Sequence, residues 1–101
     1  MNSSYRLSPM NENLDRKLPV LNRLGLHARA PAKIAALANT FHAEIYLEKD
    51  GAKADARSIL DILGLGCPQG TEVRLRAEGP EAVQAVAAIS DLFFGYFGEH
   101  S

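Results

Sequence analysis

An α+β fold is predicted for this chain, with element order β-α-β-β-α-β-α and three helices covering one face of a four-stranded, mainly antiparallel sheet. Three observations predict it. The strand-like stretches alternate apolar and polar residues, which gives a sheet one dry face and one wet face. Two longer stretches repeat apolar residues every three or four positions, as amphipathic helices do. Gly, Pro and Asp-Gly breaks separate these stretches at short intervals. With 101 residues, 47% of them hydrophobic and 23% charged, the chain has the size and balance of one domain with a single modest core.

Residues 1–15 carry Asn, Ser and Pro without a period and are read as a flexible extension, leaving 16–98 as the folded domain. From Lys17 to Leu24, the apolar positions Leu18, Val20 and Leu24 predict a first strand, with Pro19 tolerated at its start or at a sheet edge. Pro31, Ile34, Leu37, Ala38 and Phe41 then line one helical face, so a first helix is predicted over Ala28 to Phe41. Ala43, Ile45 and Leu47 alternate with Glu44, Tyr46 and Glu48 before Asp50-Gly51, which predicts a strand, a tight turn and a short strand over Ala52 to Ala56.

Ser58-Ile59-Leu60-Asp61 reads as a helix start, because the Ser hydroxyl can accept from an open backbone N–H and the Asp favours the first turn. A helix of at most two turns follows, to about Leu63. Beyond the break at Gly64, Gly66, Pro68 and Gly70, Val73, Leu75 and Ala77 predict the last strand. Pro80 suits the first turn of a closing helix with an apolar stripe of Ala82, Ala85, Val86, Ile89, Leu92, Phe93 and Tyr96, fraying at Gly95 and Gly98.

Composition narrows the function classes. Eleven basic against twelve acidic residues give a net charge of -1, so no overall field draws the chain onto nucleic acid or anionic lipid. The single Cys67 excludes an intramolecular disulfide and a Cys-based zinc site, and it is assigned no chemistry. No apolar run approaches the roughly 20 residues of a membrane-spanning helix, and the polar start lacks a signal-peptide core, so a cytoplasmic location is expected. His42 and His100 lack companion ligands at metal spacing and are assigned surface positions. The aromatic set Phe93, Phe94, Tyr96 and Phe97 reads as a helix anchor rather than a base-stacking platform.

Gly25-Leu26-His27-Ala28-Arg29 falls where the first strand gives way to the first helix. A helix start offers unpaired N–H donors and the positive end of a dipole, and Arg29 adds a planar fork that matches phosphate oxygens. A phosphoryl group on His27 would be held from two directions. The residues alone leave a second reading, in which His27 caps the helix or decorates its surface. Ile59, Leu60 and Leu63 fall on a helix too short to bury all of them; they are read either as core or as an exposed patch for a partner, with Arg23, Lys33 and Arg57 around it to steer acidic surfaces.

The runs LNRLGLHARAPAKIAALANTFHAEIYL and ARSILDILGLGCPQGTEVRLRAEGPEAVQAVAAISDLF resemble the HPr family of the bacterial phosphotransferase system over about residues 16 to 95. The likeness includes the G-L-H-A-R segment, the R-S-I-L segment, the L-G-x-x-x-G turn and the distance between histidine and serine. It implies an open-faced α+β sandwich and a stoichiometric phosphoryl carrier rather than an enzyme, with no cofactor and no metal. By the resemblance, Nδ1 of His27 accepts phosphate from phosphorylated enzyme I, supplied by phosphoenolpyruvate, and passes it to IIA-type acceptors. Arg29 clamps the transferring group, and Ser58 is the site of an HPr kinase/phosphorylase as well as, or instead of, a helix cap. A monomer suits such a carrier.

Two departures stand out. His27-Ala28-Arg29-Ala30-Pro31 sets proline one step deeper than the usual H-A-R-P-A, which removes an N–H that would point toward the His27 carbonyl. Arg57 stands where many relatives have lysine. Two rival functions are a regulatory docking module of the nitrogen-related or catabolite-control type, and an α+β domain that holds an anionic metabolite on His27 and Arg29 without covalent chemistry.

Overall fold

The computed structural model describes residues 14–101. Of the extension expected over residues 1–15, all but the last two lie outside the described residues, and Asp15 already belongs to the sheet. The elements are β1 (Asp15–Pro19), α1 (Ala30–Ala38), β2 (Glu44–Lys49), β3 (Ala52–Asp55), α2 (Ile59–Leu65), β4 (Glu72–Glu78) and α3 (Ala82–Phe94), followed by a 3₁₀ turn (Tyr96–Gly98). The strands pair antiparallel in the order β1-β4-β2-β3. This is the predicted open-faced α+β sandwich.

Alternation in β4 sends Val73, Leu75 and Ala77 inward, opposite Leu18 of β1 and Ile45 and Leu47 of β2. Ile34 of α1, Ile62 of α2 and Ile89 and Phe93 of α3 close over this face in one continuous core. The other face is polar: Asp15 bridges Arg74 at 3.3 Å, and Arg76 reaches Glu48 at 3.4 Å. Asp50 and Gly51 both have positive φ, 51° and 83°, as the tight hairpin turn between β2 and β3 demands.

Several boundaries differ from the predicted ones. β1 ends at Pro19, and Leu24, expected to point inward from the first strand, sits 51% exposed in the following loop. Pro19 closes an edge strand, where its missing donor costs the sheet little. α1 starts at Ala30 rather than Ala28, because Pro31 brings no N–H and the His27 carbonyl instead takes the Ala30 amide in a tighter turn (3.3 Å). It also stops earlier, winding through Thr40 and Phe41 with three-residue turns.

Pro80 lies ahead of α3 rather than in its first turn, since Glu81 is the residue that caps the helix start. The apolar stripe of α3 ends on Phe97, fully buried, and not on Tyr96, which is exposed. Left-handed backbone at Tyr96 and Phe97 (φ 58° and 54°) turns the chain there and swings Phe97 into edge-to-face contact with Phe93, 4.8 Å between ring centres. Instead of fraying at Gly95 and Gly98, the chain folds back on the loop that leads into α1.

Candidate functional site

The loop from Val20 to Arg29 carries the candidate residues, and backbone contacts fix it. Val20 continues the line of β1 by bonding to the 70s loop: its amide donates to Thr71 O and its carbonyl accepts from Gly70 N, both at 2.8 Å. Asn22 then opens a turn in which Gly25 N donates to Asn22 O (3.1 Å), while the buried Asn22 side chain donates Nδ2 to Gly25 O at 2.8 Å. Leu26 plugs the core with its side chain and donates its amide to Cys67 O at 2.8 Å.

Gly25 is required twice over. Its φ is +69°, and a Cβ there would lie 2.5 Å from Cys67 O and 2.9 Å from Pro68 Cα. Cys67 itself is fully buried, and that burial pushes its thiol above the ordinary thiol range. Its use here is structural, through the carbonyl.

His27 follows immediately and is exposed, as are Ala28 and Arg29. Ala28 holds a left-handed φ of 56°, a conformation that costs an alanine roughly 1 kcal/mol and lets the chain change direction between the pinned Leu26 and the helix. Arg29 occupies the cap position of α1 without a side-chain cap bond. Among the described residues, no protein acceptor engages the Arg29 guanidinium or the N–H groups of Ala28, Arg29 and Ala32. Open donors, a cation and an exposed imidazole therefore share the start of α1. Such a set can receive an anion.

Ser58 sits ahead of α2, with its Oγ accepting from Asp61 N at 3.2 Å. Lys49 Nζ closes the other end of this short helix on the carbonyls of Leu65 (3.3 Å) and Gly66 (2.6 Å). Only Ile62 of α2 is buried; Ile59, Leu60 and Leu63 are exposed, Leu60 by 79%. Of the expected steering cations, Arg57 is paired with Asp55 (3.1 Å) and Glu44 (3.3 Å), and Lys33 Nζ donates to Phe97 O. Arg23 is exposed and gives its amide to Ser101 O at 2.9 Å. His42 and His100 both lie on the surface.

The scaffold of the loop was less legible than the exposed placement of His27 and Arg29. Asn22-x-x-Gly25 is a turn signature, Asn first and Gly fourth, and read as such it points to the Asn22 contacts. No local signal marks Cys67 O or Glu99, whose Oε1 accepts from Asn22 Nδ2 at 3.0 Å, because their partners are distant in sequence.

Residues 14–94 match the family model described as the PTS HPr component phosphorylation site. The chain belongs to the HPr family of phosphocarrier proteins. Among HPr-family relatives, the phosphocarrier protein HPr of Neisseria meningitidis is 35% identical over 86 residues, which span 85% of this chain and 97% of that one. The phosphocarrier protein NPr of Shewanella violacea is 41% identical over 88 residues, 87% of this chain and 97% of that one. The crystal structure of an HPr from Thermoanaerobacter tengcongensis matches with a TM-score of 0.84 at 39% identity, covering 86% of this chain and 98% of the other.

Proposed function

We infer that this HPr-family chain carries phosphate on His27. The observation that carries the reading is the pairing, at the start of α1, of an exposed imidazole with N–H donors and a guanidinium that no acceptor engages among the described residues. The Nδ1 lone pair attacks the phosphorus presented by phosphorylated enzyme I; the new N–P bond forms as the donor's bond to phosphorus breaks, and the reverse step delivers the group to a IIA-type acceptor. Arg29 spreads over the phosphoryl oxygens, since this chemistry depends on in-line positioning and charge neutralisation more than on covalent machinery. The carrier works stoichiometrically, as a monomer in the cytoplasm, and its working domain, expected over 16–98, takes in Asp15 at one end and the tail through Ser101 at the other.

Partners dock on the exposed apolar side chains of α2, Leu60 above all, with Ile59 and Leu63. Lys33 and Arg57, the cations offered to steer such partners, are charges that the protein already uses internally, on Phe97 O and on Asp55. Ser58 is a second modification site: phosphate from an HPr kinase/phosphorylase would add two negative charges close to Asp61, on the side a partner approaches.

The test is incubation of the full chain with phosphoenolpyruvate and enzyme I, followed by intact mass spectrometry. One acid-labile phosphoryl group on the wild type and none on His27→Ala is the expected result. A wild type that stays unlabelled, while binding phosphate non-covalently, overturns the carrier reading in favour of simple anion binding. Similar identity to HPr and NPr relatives favours a second question, sugar uptake or nitrogen-related regulation, which the acceptor that takes the label from His27 answers.

A further inference from the structure

The peptide unit between Gly25 and Leu26 is held at both ends. Its N–H donates to Cys67 O, in the loop behind it, and its carbonyl accepts from Asn22 Nδ2. His27 is the next residue along, so whatever holds this peptide sets the base from which the imidazole projects. The Cys67 contact is backbone to backbone and rests on the core. The Asn22 contact depends on how one amide side chain is turned.

Asn22 is fully buried, and its Nδ2 has two hydrogens, each with its own acceptor: Gly25 O at 2.8 Å and Glu99 Oε1 at 3.0 Å. The remaining oxygens of the pair, Asn22 Oδ1 and Glu99 Oε2, are buried and meet no donor among the described residues. An amide turned the other way would set Oδ1 against Gly25 O and Glu99 Oε1, three acceptors facing one another. The Gly25 carbonyl and the Glu99 carboxylate therefore select the orientation of the Asn22 amide together, and Glu99 holds the second of its two hydrogens.

Glu99 itself is brought to this place by the path of the tail. Successive left-handed residues at Tyr96 and Phe97 reverse the chain, burial of Phe97 against Phe93 holds the reversal, and Lys33 Nζ of α1 donates to Phe97 O. Beyond Glu99, Ser101 O accepts from Arg23 N at 2.9 Å. The tail thus lies as a strap across the loop that presents His27, anchored on α3 at one end and on α1 along the way.

We propose that Glu99 is a positioning residue for phosphoryl transfer, acting through Asn22 and the Gly25–Leu26 peptide on the direction of His27. This rests on the carrier reading of His27. Among the described residues Glu99 makes no hydrogen bond or ion pair to His27, so its effect falls on the rate of transfer within the complex and not on the meeting of the partners.

Full-length wild type, Glu99→Ala and Glu99→Gln test it by amide hydrogen exchange and by steady-state transfer from enzyme I. In Glu99→Ala, the Leu26 amide exchanges about tenfold faster, the factor that one hydrogen bond to a charged group controls, while the Leu75 amide in β4 keeps its protection. The kcat of transfer falls about fivefold to tenfold, the effect of loosened orientation, with KM unchanged. Glu99→Gln restores both, because glutamine keeps the acceptor for Asn22 Nδ2 and adds a donor where two buried oxygens lack one. Unchanged exchange at Leu26, equal loosening of Leu75, or a faster Leu26 amide with unaltered kcat would each overturn the proposal. A wild type that enzyme I never labels overturns the carrier reading instead, a result visible before any variant is compared.

Discussion

Leu26 and Cys67 are joined by a 2.8 Å hydrogen bond from the amide of one to the carbonyl of the other, which ties the residue before His27 to the loop that follows α2. Two stretches of chain approach so closely there that Gly25 has no room for a side chain. Gly25→Ala must move backbone atoms, since both nearest neighbours of the added Cβ are main-chain atoms. Strained φ and the lost Leu26 bond together are expected to cost about 2–4 kcal/mol in urea unfolding. A variant as stable as the wild type would show that the loop opens freely.

Ser58 has a measurable structural duty. Its Oγ satisfies one of the open amides of α2, so Ser58→Ala is expected to lose about 1 kcal/mol, while Ser58→Asp keeps an acceptor and a favourable charge at the helix start and stays nearer the wild type. Transfer kinetics separate the cap from the surface role: Ser58→Asp raises KM for enzyme I, and Ser58→Ala leaves it unchanged. Equal KM for all three removes the proposed charge effect.

A pH dependence follows from Asp55. Side-chain hydrogen bonds from Arg57, at 3.1 Å to each carboxylate oxygen, hold the Asp55 carboxyl below the ordinary carboxylate range, and the Arg57 amide adds to this. A carboxyl whose pKa is lowered by folding stabilises the fold fully above its unfolded value, and that contribution is lost as pH falls through the folded one. Because the pair is partly exposed, its worth is under about 1 kcal/mol. The gap in stability between wild type and Asp55→Asn is therefore expected to be small at neutral pH and to close below about pH 4. A gap that stays constant into acid would assign the loss to packing.

Periodicity, with the Asp50-Gly51 turn and the Ser58 helix start, carried the element order, because each strand of this sheet has one buried face and α3 has one apolar stripe. The errors lie where a long-range contact overrules a local pattern. Leu24 continues the alternation of Leu18 and Val20, yet the Asn22 turn has already lifted the chain off the sheet. Tyr96 continues the helical spacing of Phe93, but left-handed backbone gives the buried position to Phe97. At the candidate site, the placement of His27 and Arg29 at the start of α1 and of Ser58 ahead of α2 was legible from their neighbours. The clamp on the Gly25–Leu26 peptide was not, since Cys67 and Glu99 reach it from far along the chain.

Arg29 offers a direct test of the phosphate clamp. Among the described residues its guanidinium makes no hydrogen bond or ion pair, so shortening or reshaping it removes nothing from the fold. Arg29→Lys keeps the charge and loses the planar fork, which predicts unchanged thermal stability and a fall in kcat of about tenfold, the worth of one charge-assisted bond. Unchanged transfer kinetics would refute the clamp.

Leu60 separates docking from folding more cleanly than any other residue of α2. At 79% exposure it contributes almost nothing to the core, whereas Ile62, two residues on and on the opposite face of the helix, is fully buried. An exposed leucine on the same short helix as the exposed Ile59 and Leu63 gains free energy only when a partner removes it from water, roughly 1.5–3 kcal/mol for full burial. Leu60→Glu is therefore expected to leave the unfolding midpoint within error and to raise KM for enzyme I by about tenfold or more, with kcat little altered. Ile62→Glu should do the opposite and unfold the chain, since it buries a charge without a partner. If Leu60→Glu leaves KM at the wild-type value, the partner approaches His27 from another side, and the apolar face of α2 must be assigned some other use.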